Sequence, residues 1–371
     1  MRILLLADSN SIHTIRWAKA ISKSGIEIAI FSIHVISENL YHNEKIKLYS
    51  FKLSRKYQFD KEVSPKKLSY AFAIPRLKKV IAEFSPDILH AHYASSYGLL
   101  GALSGFHPFI ISVWGSDIYN FPYHSVFHSA LIRFNLSRAD ILLSTSKSMA
   151  EQTKKFSKKR ILVTPFGIDT KVFFPKQVKG VFATGNIVIG TIKTLEKKYG
   201  IEFLIRAFYS LKSKKSNIRL KLLIVGQGSQ EKYLKELVND LGINDDTFFA
   251  GFIEKEKLPE YHNMIDIYVA MSTEDSESFG VAVLEACACS KPVIVSDAGG
   301  LPEVVENGVT GLVVRRLDLN GLTEALDLLI KDTKLRENLG INGRKHVLEN
   351  YQWNDSVDKM LNIYRSILKN K

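Results

Sequence analysis

Short apolar runs alternate with segments of helical period along most of this chain, and that alternation leaves few folds open. "RILLLA" (2–7) is continuously apolar, as a strand covered on both faces should be. In "IHTIRWAKAISKSG" (12–25) the apolar residues Ile12, Ile15, Ala18 and Ile21 recur at helical spacing, and Gly25 makes a suitable stop. "IEIAIFSI" (26–33) is the next strand, which completes a βαβ unit of the kind that builds parallel sheets. "DILHAHY" (87–93), "FIISVWG" (109–115), "ADILLSTS" (139–146) and "KRILVTPFG" (159–167) continue the series. The stretch "FFPKQVKGVFATGN" (173–186) carries Pro175, Gly180 and Gly185 without periodicity, and is the expected linker. A second series follows: "IVIGTI" (187–192), "LKLLIVG" (220–226), "TFFAGF" (247–252), "DIYVAMS" (266–272) and "KPVIVSD" (291–297). Helices are expected over 201–212, over 229–241 and near 255–263.

The expectation is therefore an α/β protein of two Rossmann-like, doubly wound domains. The first spans 1–172, the linker 173–186 and the second 187–352, with a last helix over 353–371 crossing back to the first. A chain of 371 residues is long for one core and suits two. Ligands in open parallel sheets sit beyond the carboxyl ends of the strands, so two such domains face to face would place a cleft between them.

No run of eighteen apolar residues occurs, which excludes a membrane-spanning helix. "MRILLLADSN" lacks the longer apolar region and cleavage site of a secretory signal. Cys287 and Cys289, two apart on one expected helix, suit neither a disulfide framework nor a zinc site, and are expected as small buried residues in a reducing cytosol. The formal charge of +13 calls for an acidic partner. Nine Lys or Arg fall between Lys52 and Lys79 against Asp60 and Glu62 alone, mixed with "KYQF" and "YAFAIP". An anionic bilayer suits that mixture, and a solvated basic face is the plain alternative. The aromatic–basic interleaving of a nucleic-acid module is absent, so no nucleic acid is expected as a partner.

"ESFGVAVLE" (277–285) carries the chemistry. A strand ends in the polar loop "TEDSESFG" and a helix starts near Gly280, so unpaired backbone N–H groups and the positive end of the helix dipole meet there. Gly280 allows close backbone approach, and the combination favours a phosphate or diphosphate over Ser278, Phe279, Gly280 and Val281. A carboxylate beside a diphosphate is better placed to accept hydrogen bonds from hydroxyls, a sugar's at Glu277 and a ribose's at Glu285. In isolation the pair also reads as two glutamates favoured by a helix start.

The longer stretch "ESFGVAVLEACACSKPVIVSDAGGLPEVVENGVTGLVV" (277–314) resembles the signature region of the retaining nucleotide-sugar glycosyltransferases of family 4. It has their E-x7-E core, K-P strand, S-D-x-G-G-L-P-E loop and N-G-x-x-G-L. "PFGID" (165–169), "IVGQG" (224–228) with Gly226, and "FAGFIEKEKLPEYH" (249–262) extend the resemblance over nearly the whole chain. It implies a two-domain GT-B fold with the donor held mainly by the second domain, Glu277 on the donor sugar and Glu285 on the nucleotide ribose. Where the family has an Arg, "IGTIKTLEKKYG" (189–200) has Thr191; Lys193 is expected to substitute for it, and Lys198 resembles the family lysine. A lysine is a point charge and cannot clamp bidentately as arginine does. In the first domain "HAHY" (90–93) resembles the family histidine motif, with His92 as the residue that bonds the donor sugar or leaving group. "VWGSD" (113–117) has Trp114 where the family often has His, and "DSNSIHT" (8–14) lacks the usual double glycine. Its Asn10, Ser11 and His13 are expected to contact acceptor or diphosphate.

His92, Lys198 and Glu277 are thus the expected catalytic residues. Asn10, Ser11, Lys193, Gly226, Ser278, Phe279, Gly280, Val281 and Glu285 are expected to bind substrate. No cofactor and no metal are required by the pattern. The expected partners are a UDP- or GDP-sugar, a glycan or lipid-linked acceptor, and an anionic membrane surface, with the protein in the cytoplasm or peripheral on the inner face of the cell membrane. The expected reaction moves a hexose-type sugar to an acceptor hydroxyl with retention, toward a lipid-linked or cell-surface polysaccharide precursor. Three alternatives stand beside it: a sugar phosphorylase or nucleotide-sugar epimerase on the same fold, and a non-catalytic basic membrane-binding protein. A dinucleotide-dependent dehydrogenase is disfavoured, because "LLLADSNSIHT" contains no glycine.

Overall fold

The computed structural model describes residues 1–35, 37–42, 45–51, 70, 72–214 and 218–369. The chain divides into two compact units, 1–165 with 356–371 and 166–355. Among the described residues the first unit holds one parallel sheet: β1 (Arg2–Leu6), β2 (Glu27–Ser32), β3 (Ile46–Ser50), β4 (Ile88–His92), β5 (Phe109–Val113), β6 (Ile141–Ser144) and β7 (Ile161–Val163). Their order is β3-β2-β1-β4-β5-β6-β7. The second unit repeats the plan with β8 (Ile187–Ile192), β9 (Leu220–Val225), β10 (Thr247–Gly251), β11 (Ile267–Ala270), β12 (Val293–Ser296) and β13 (Leu312–Val314). Their order is β10-β9-β8-β11-β12-β13, again all parallel.

The apolar runs become strands because parallel strands are covered on both faces. Ile3, Leu4, Leu5 and Leu6 of β1 are fully buried, as are Leu222, Leu223 and Ile224 of β9. On one face of the first sheet Leu4, Leu89, Ala91 and Ile111 pack against Leu77 and Val80 of the helix Ile74–Phe84 and Leu136 of the helix Val126–Arg138. The alternate residues of β4 point to the other face, where the His90 ring bonds the Tyr364 hydroxyl at 2.7 Å. Tyr364 lies on the last helix, Trp353–Lys369, whose residues from Ser356 onward belong to the first unit.

In each sheet the strand order reverses between two central strands, β1 and β4 in the first, β8 and β11 in the second. These reversal points are where a doubly wound sheet opens a crevice for ligands. The unit boundary falls at Pro165–Phe166, upstream of the 173–186 segment expected to join the domains. The physical reason is local packing: Ile168 bridges to Gln352, and Phe166 sits edge-on to Phe279 at 6.1 Å, so 166–186 is part of the second unit. Of the basic segment Lys52–Lys79, residues 52–69 and Ala71 lie outside the described residues; Lys78 and Lys79 are exposed on the helix Ile74–Phe84. Among the described residues no helix is long and apolar enough to cross a membrane.

Candidate active site

In the second unit, the loops at the carboxyl ends of β8, β9, β11, β12 and β13 are laced together around the β8/β11 reversal. After β8, the Lys198 carbonyl accepts from the Thr273 N–H and hydroxyl at 2.8 and 3.2 Å, which ties this loop to the one that follows β11. Glu196 accepts from the Ser229 N–H and hydroxyl at 3.0 and 2.5 Å, which ties it to the loop after β9. Gly226 sits at φ +132°, and a Cβ there would lie 2.0 Å from the Lys193 carbonyl oxygen. Only glycine lets the β9 loop pass that close under Lys193.

Lys193 and Glu277 meet at the centre. The Lys193 Nζ lies 2.5 Å from Glu277 Oε2, and the Ser272 hydroxyl donates to the same oxygen at 3.3 Å. The Glu277 side chain is 9% exposed. Burial disfavours the Lys193 ammonium, but Glu277, Tyr199 and Glu285 more than offset this and hold its pKa above the ordinary lysine value. The ammonium also stands 4.4 Å from the Tyr199 ring centroid, with that of Lys198 at 5.3 Å from the same ring, so one aromatic face gathers both lysines.

Glu277 is held in place by its backbone. Its carbonyl accepts from the Gly300 N–H at 2.8 Å, and Gly299 donates to Asp275 Oδ1 at 3.0 Å. Gly299, at φ +52°, has the Glu277 carbonyl where a Cβ would be, at 2.2 Å. Arg316, just past β13, pairs with Asp275 at 2.8 Å and with Asp297 at 3.1 Å, and so clips the β11, β12 and β13 loops together. Burial pulls the Asp297 carboxyl upward, but the Arg316 backbone N–H, at 2.8 Å, and then its guanidinium hold it below the usual range. The E-x7-E spacing does not reveal Arg316; only the "SD" at Ser296–Asp297 hints at what it binds.

The helix Val281–Ala288 begins at Gly280, whose φ of +90° makes the left-handed turn. Phe279 is buried against Phe166 and Tyr351, so its side chain packs the core and leaves its backbone to the loop. Glu285, one turn into the helix, lies 3.4 Å from Nε2 of His262, which is fully buried between Phe173 and Tyr268. Neither nitrogen of His262 has an aligned hydrogen-bond partner. Sequence reading missed His262. Cys287 and Cys289 are both buried and unbridged, and burial pushes each thiol up to about 12.

In the first unit His92 ends β4, 3% exposed, its ring tilted over Trp114 at 4.5 Å. Burial, then His90 and His13, push its pKa well below 6.5, so the ring is a neutral imidazole with Nδ1 unpartnered. Asp117, from "VWGSD", is fully buried and accepts from the N–H groups of Ala94, Gly115 and Trp114 at 2.7, 2.8 and 3.2 Å, which ties the loop that follows His92 to the loop after β5. Asn10 and Ser11 stand beyond β1, across from His92's strand. The Asn10 amide donates to the Val35 carbonyl at 2.8 Å and its oxygen accepts from Ser37 at 3.2 Å, so that side chain spans two loops; Ser11 starts the helix Ile12–Lys23 without a side-chain cap.

The chain matches the family description "Glycosyl transferase 4-like" over residues 2–146 and "Glycosyl transferases group 1" over residues 174–346. It is 29% identical over 314 residues to N-acetyl-alpha-D-glucosaminyl L-malate synthase of Bacillus anthracis, covering 79% of this chain and 78% of that protein. It is also 29% identical over 294 residues to the GDP-mannose-dependent alpha-(1-6)-phosphatidylinositol monomannoside mannosyltransferase of Mycolicibacterium smegmatis, covering 75% and 76%. Among solved structures, sucrose-phosphate synthase from Thermosynechococcus elongatus matches with a TM-score of 0.83 and 19% identity, covering 100% of each chain, a likeness of fold.

Proposed function

Because this chain belongs to the group 1 glycosyl transferases and has their GT-B architecture, we propose that it moves a hexose-type sugar, with retention, from a nucleoside-diphosphate sugar to an acceptor hydroxyl. The single observation that carries the reading is the Lys193–Glu277 pair at the β8/β11 reversal, beside a glycine-started helix. A diphosphate over Ser278, Phe279, Gly280 and Val281 meets the positive end of a helix that starts at Gly280, with Lys193 and Lys198 at hand to neutralise it. As the leaving group departs, these fixed dipoles and lysines stabilise its growing charge, which is the enzyme's main task. They supply the positive charge, so the reading needs no metal. Lys193 turns toward the diphosphate, and Glu277 is then able to accept hydrogen bonds from the sugar's hydroxyls. Glu285 takes the ribose hydroxyls. From the first unit, neutral His92 bonds the donor sugar or leaving group. The acceptor attacks from the side the leaving group vacates.

The relative from M. smegmatis acts, by its name, on a phosphatidylinositol monomannoside. A lipid-linked acceptor at the inner face of the cell membrane is the matching proposal here, toward a cell-surface polysaccharide precursor. Thermal-shift screening against UDP-, GDP- and ADP-sugars tests donor binding. A rise in Tm with one nucleotide class is the expected result; no rise with any nucleotide sugar or free diphosphate contradicts it.

A further inference from the structure

The helix Val126–Arg138 is apolar on two sides. Inward it buries Ile132 and Leu136, with Asn135 donating to the Ala94 carbonyl at 2.9 Å. Outward it presents Val126, Phe127 and Phe134, which are 88%, 51% and 42% exposed, at positions that share a face through Ala130. Tyr123, just before the helix, is 59% exposed. Large exposed apolar side chains gathered on one surface mark an interaction site.

The same surface is strongly cationic. Arg133, Arg138, Lys155, Lys158, Lys159 and Arg160 are all exposed around it. The acidic residues among them are already engaged, Glu151 with Lys154 at 2.6 Å and Asp140 with His107 at 2.7 Å. Apolar and cationic parts are contiguous. The Phe156 ring lies 5.8 Å from Tyr123 and 5.4 Å from the Arg133 guanidinium, and the Lys159 ammonium donates to the Ser137 carbonyl at 2.6 Å. Between them opens a hollow of about 440 Å³ lined by Arg133, Ser137, Phe156 and residues 157–159.

We propose that this surface docks on an anionic phospholipid bilayer, with Val126, Phe127 and Phe134 entering the headgroup–acyl boundary and a lipid phosphate seated in the cationic hollow. A bilayer offers both features at once, an anionic plane and apolar depth beneath it. A nucleic acid would match the charges and leave the valine and phenylalanines in water. The inference rests on the membrane part of the proposed function and needs no sugar transfer.

Co-sedimentation with vesicles of phosphatidylcholine, with and without phosphatidylglycerol, tests it on the full chain. Wild type should bind only the anionic vesicles, and less as salt rises. Val126→Asp/Phe127→Asp, at exposed positions, should weaken binding at least about tenfold, and Lys155→Glu/Lys158→Glu should weaken it too. Both variants should keep the wild-type Tm and donor response, so loss of fold or of donor binding is read separately. Binding that survives both variants and falls on charge reversal of Lys66, Lys67, Lys78 and Lys79 would leave a membrane protein but overturn this surface. A wild type that ignores anionic vesicles at low salt overturns it together with the membrane reading. A dimer in solution that Val126→Asp/Phe127→Asp breaks, without vesicle binding, assigns the face to self-association and overturns it likewise.

Discussion

Glu277 and Glu285 differ in what they touch, so they should fail differently. Glu277 meets Lys193 and Ser272, at the place proposed for the sugar, whereas Glu285 lies beside the buried His262. Hydrogen bonds to a charged group contribute roughly 1.5–3 kcal/mol. Glu285→Ala should therefore weaken binding of the free nucleoside diphosphate by about tenfold or more, and Glu277→Ala should bind it normally but turn over slowly. Calorimetric titration with the diphosphate separates the two, and equal affinity of wild type and Glu285→Ala would sink the ribose assignment. The motif spacing makes both glutamates legible in sequence. It does not give the company they keep. Arg316 and His262 lie 39 residues after Glu277 and 23 before Glu285 in the chain, and only the folding of the β12, β13 and 258–264 segments brings them near.

At the scale of elements, the strand β4 and the last helix depend on each other through buried histidine. His90 is fully buried between the Tyr364 and Ser112 hydroxyls, at 2.7 and 2.8 Å, and burial pushes its pKa down to about 3. Its folded value lies below the 6.5 of an unfolded histidine, so the fold binds fewer protons than the unfolded chain between those values. The stability it lends is complete above pH about 6.5 and is lost as pH falls from there toward about 3, by up to about 1.4 kcal/mol per pH unit. His92, also depressed by burial, adds to the same direction. Thermal melts should show Tm falling as pH drops below about 6.5; a flat Tm through that range contradicts the assignment. Tyr364→Phe should cost about 1–3 kcal/mol by leaving a buried ring nitrogen unpaired. Elements of this kind are legible in part. Central strands such as β1 and β9 declare themselves as apolar runs. The edge strand β3 does not, because Lys47 and half-buried neighbours break the run, and no local pattern states the order in which parallel strands assemble.

For the whole molecule, two units built to one strand plan each bring their candidate residues to the reversal of their own sheet: Asn10, Ser11 and His92 in the first, Lys193 and Glu277 in the second. The alternation of runs makes that doubling legible in sequence. The donor base, the sugar and the acceptor are not legible, because the motif over 277–314 names no side chain that would read them. Sugar transfer with retention is the activity proposed for the Lys193–Glu277 site. Once screening has found the donor, NMR of the product formed with a model acceptor reads it directly. The transferred sugar should keep the anomeric configuration it had in the donor, and Glu277→Ala, folded and still binding the diphosphate, should make product at least about a hundredfold more slowly. Product of inverted configuration, or undiminished transfer by Glu277→Ala, would contradict it.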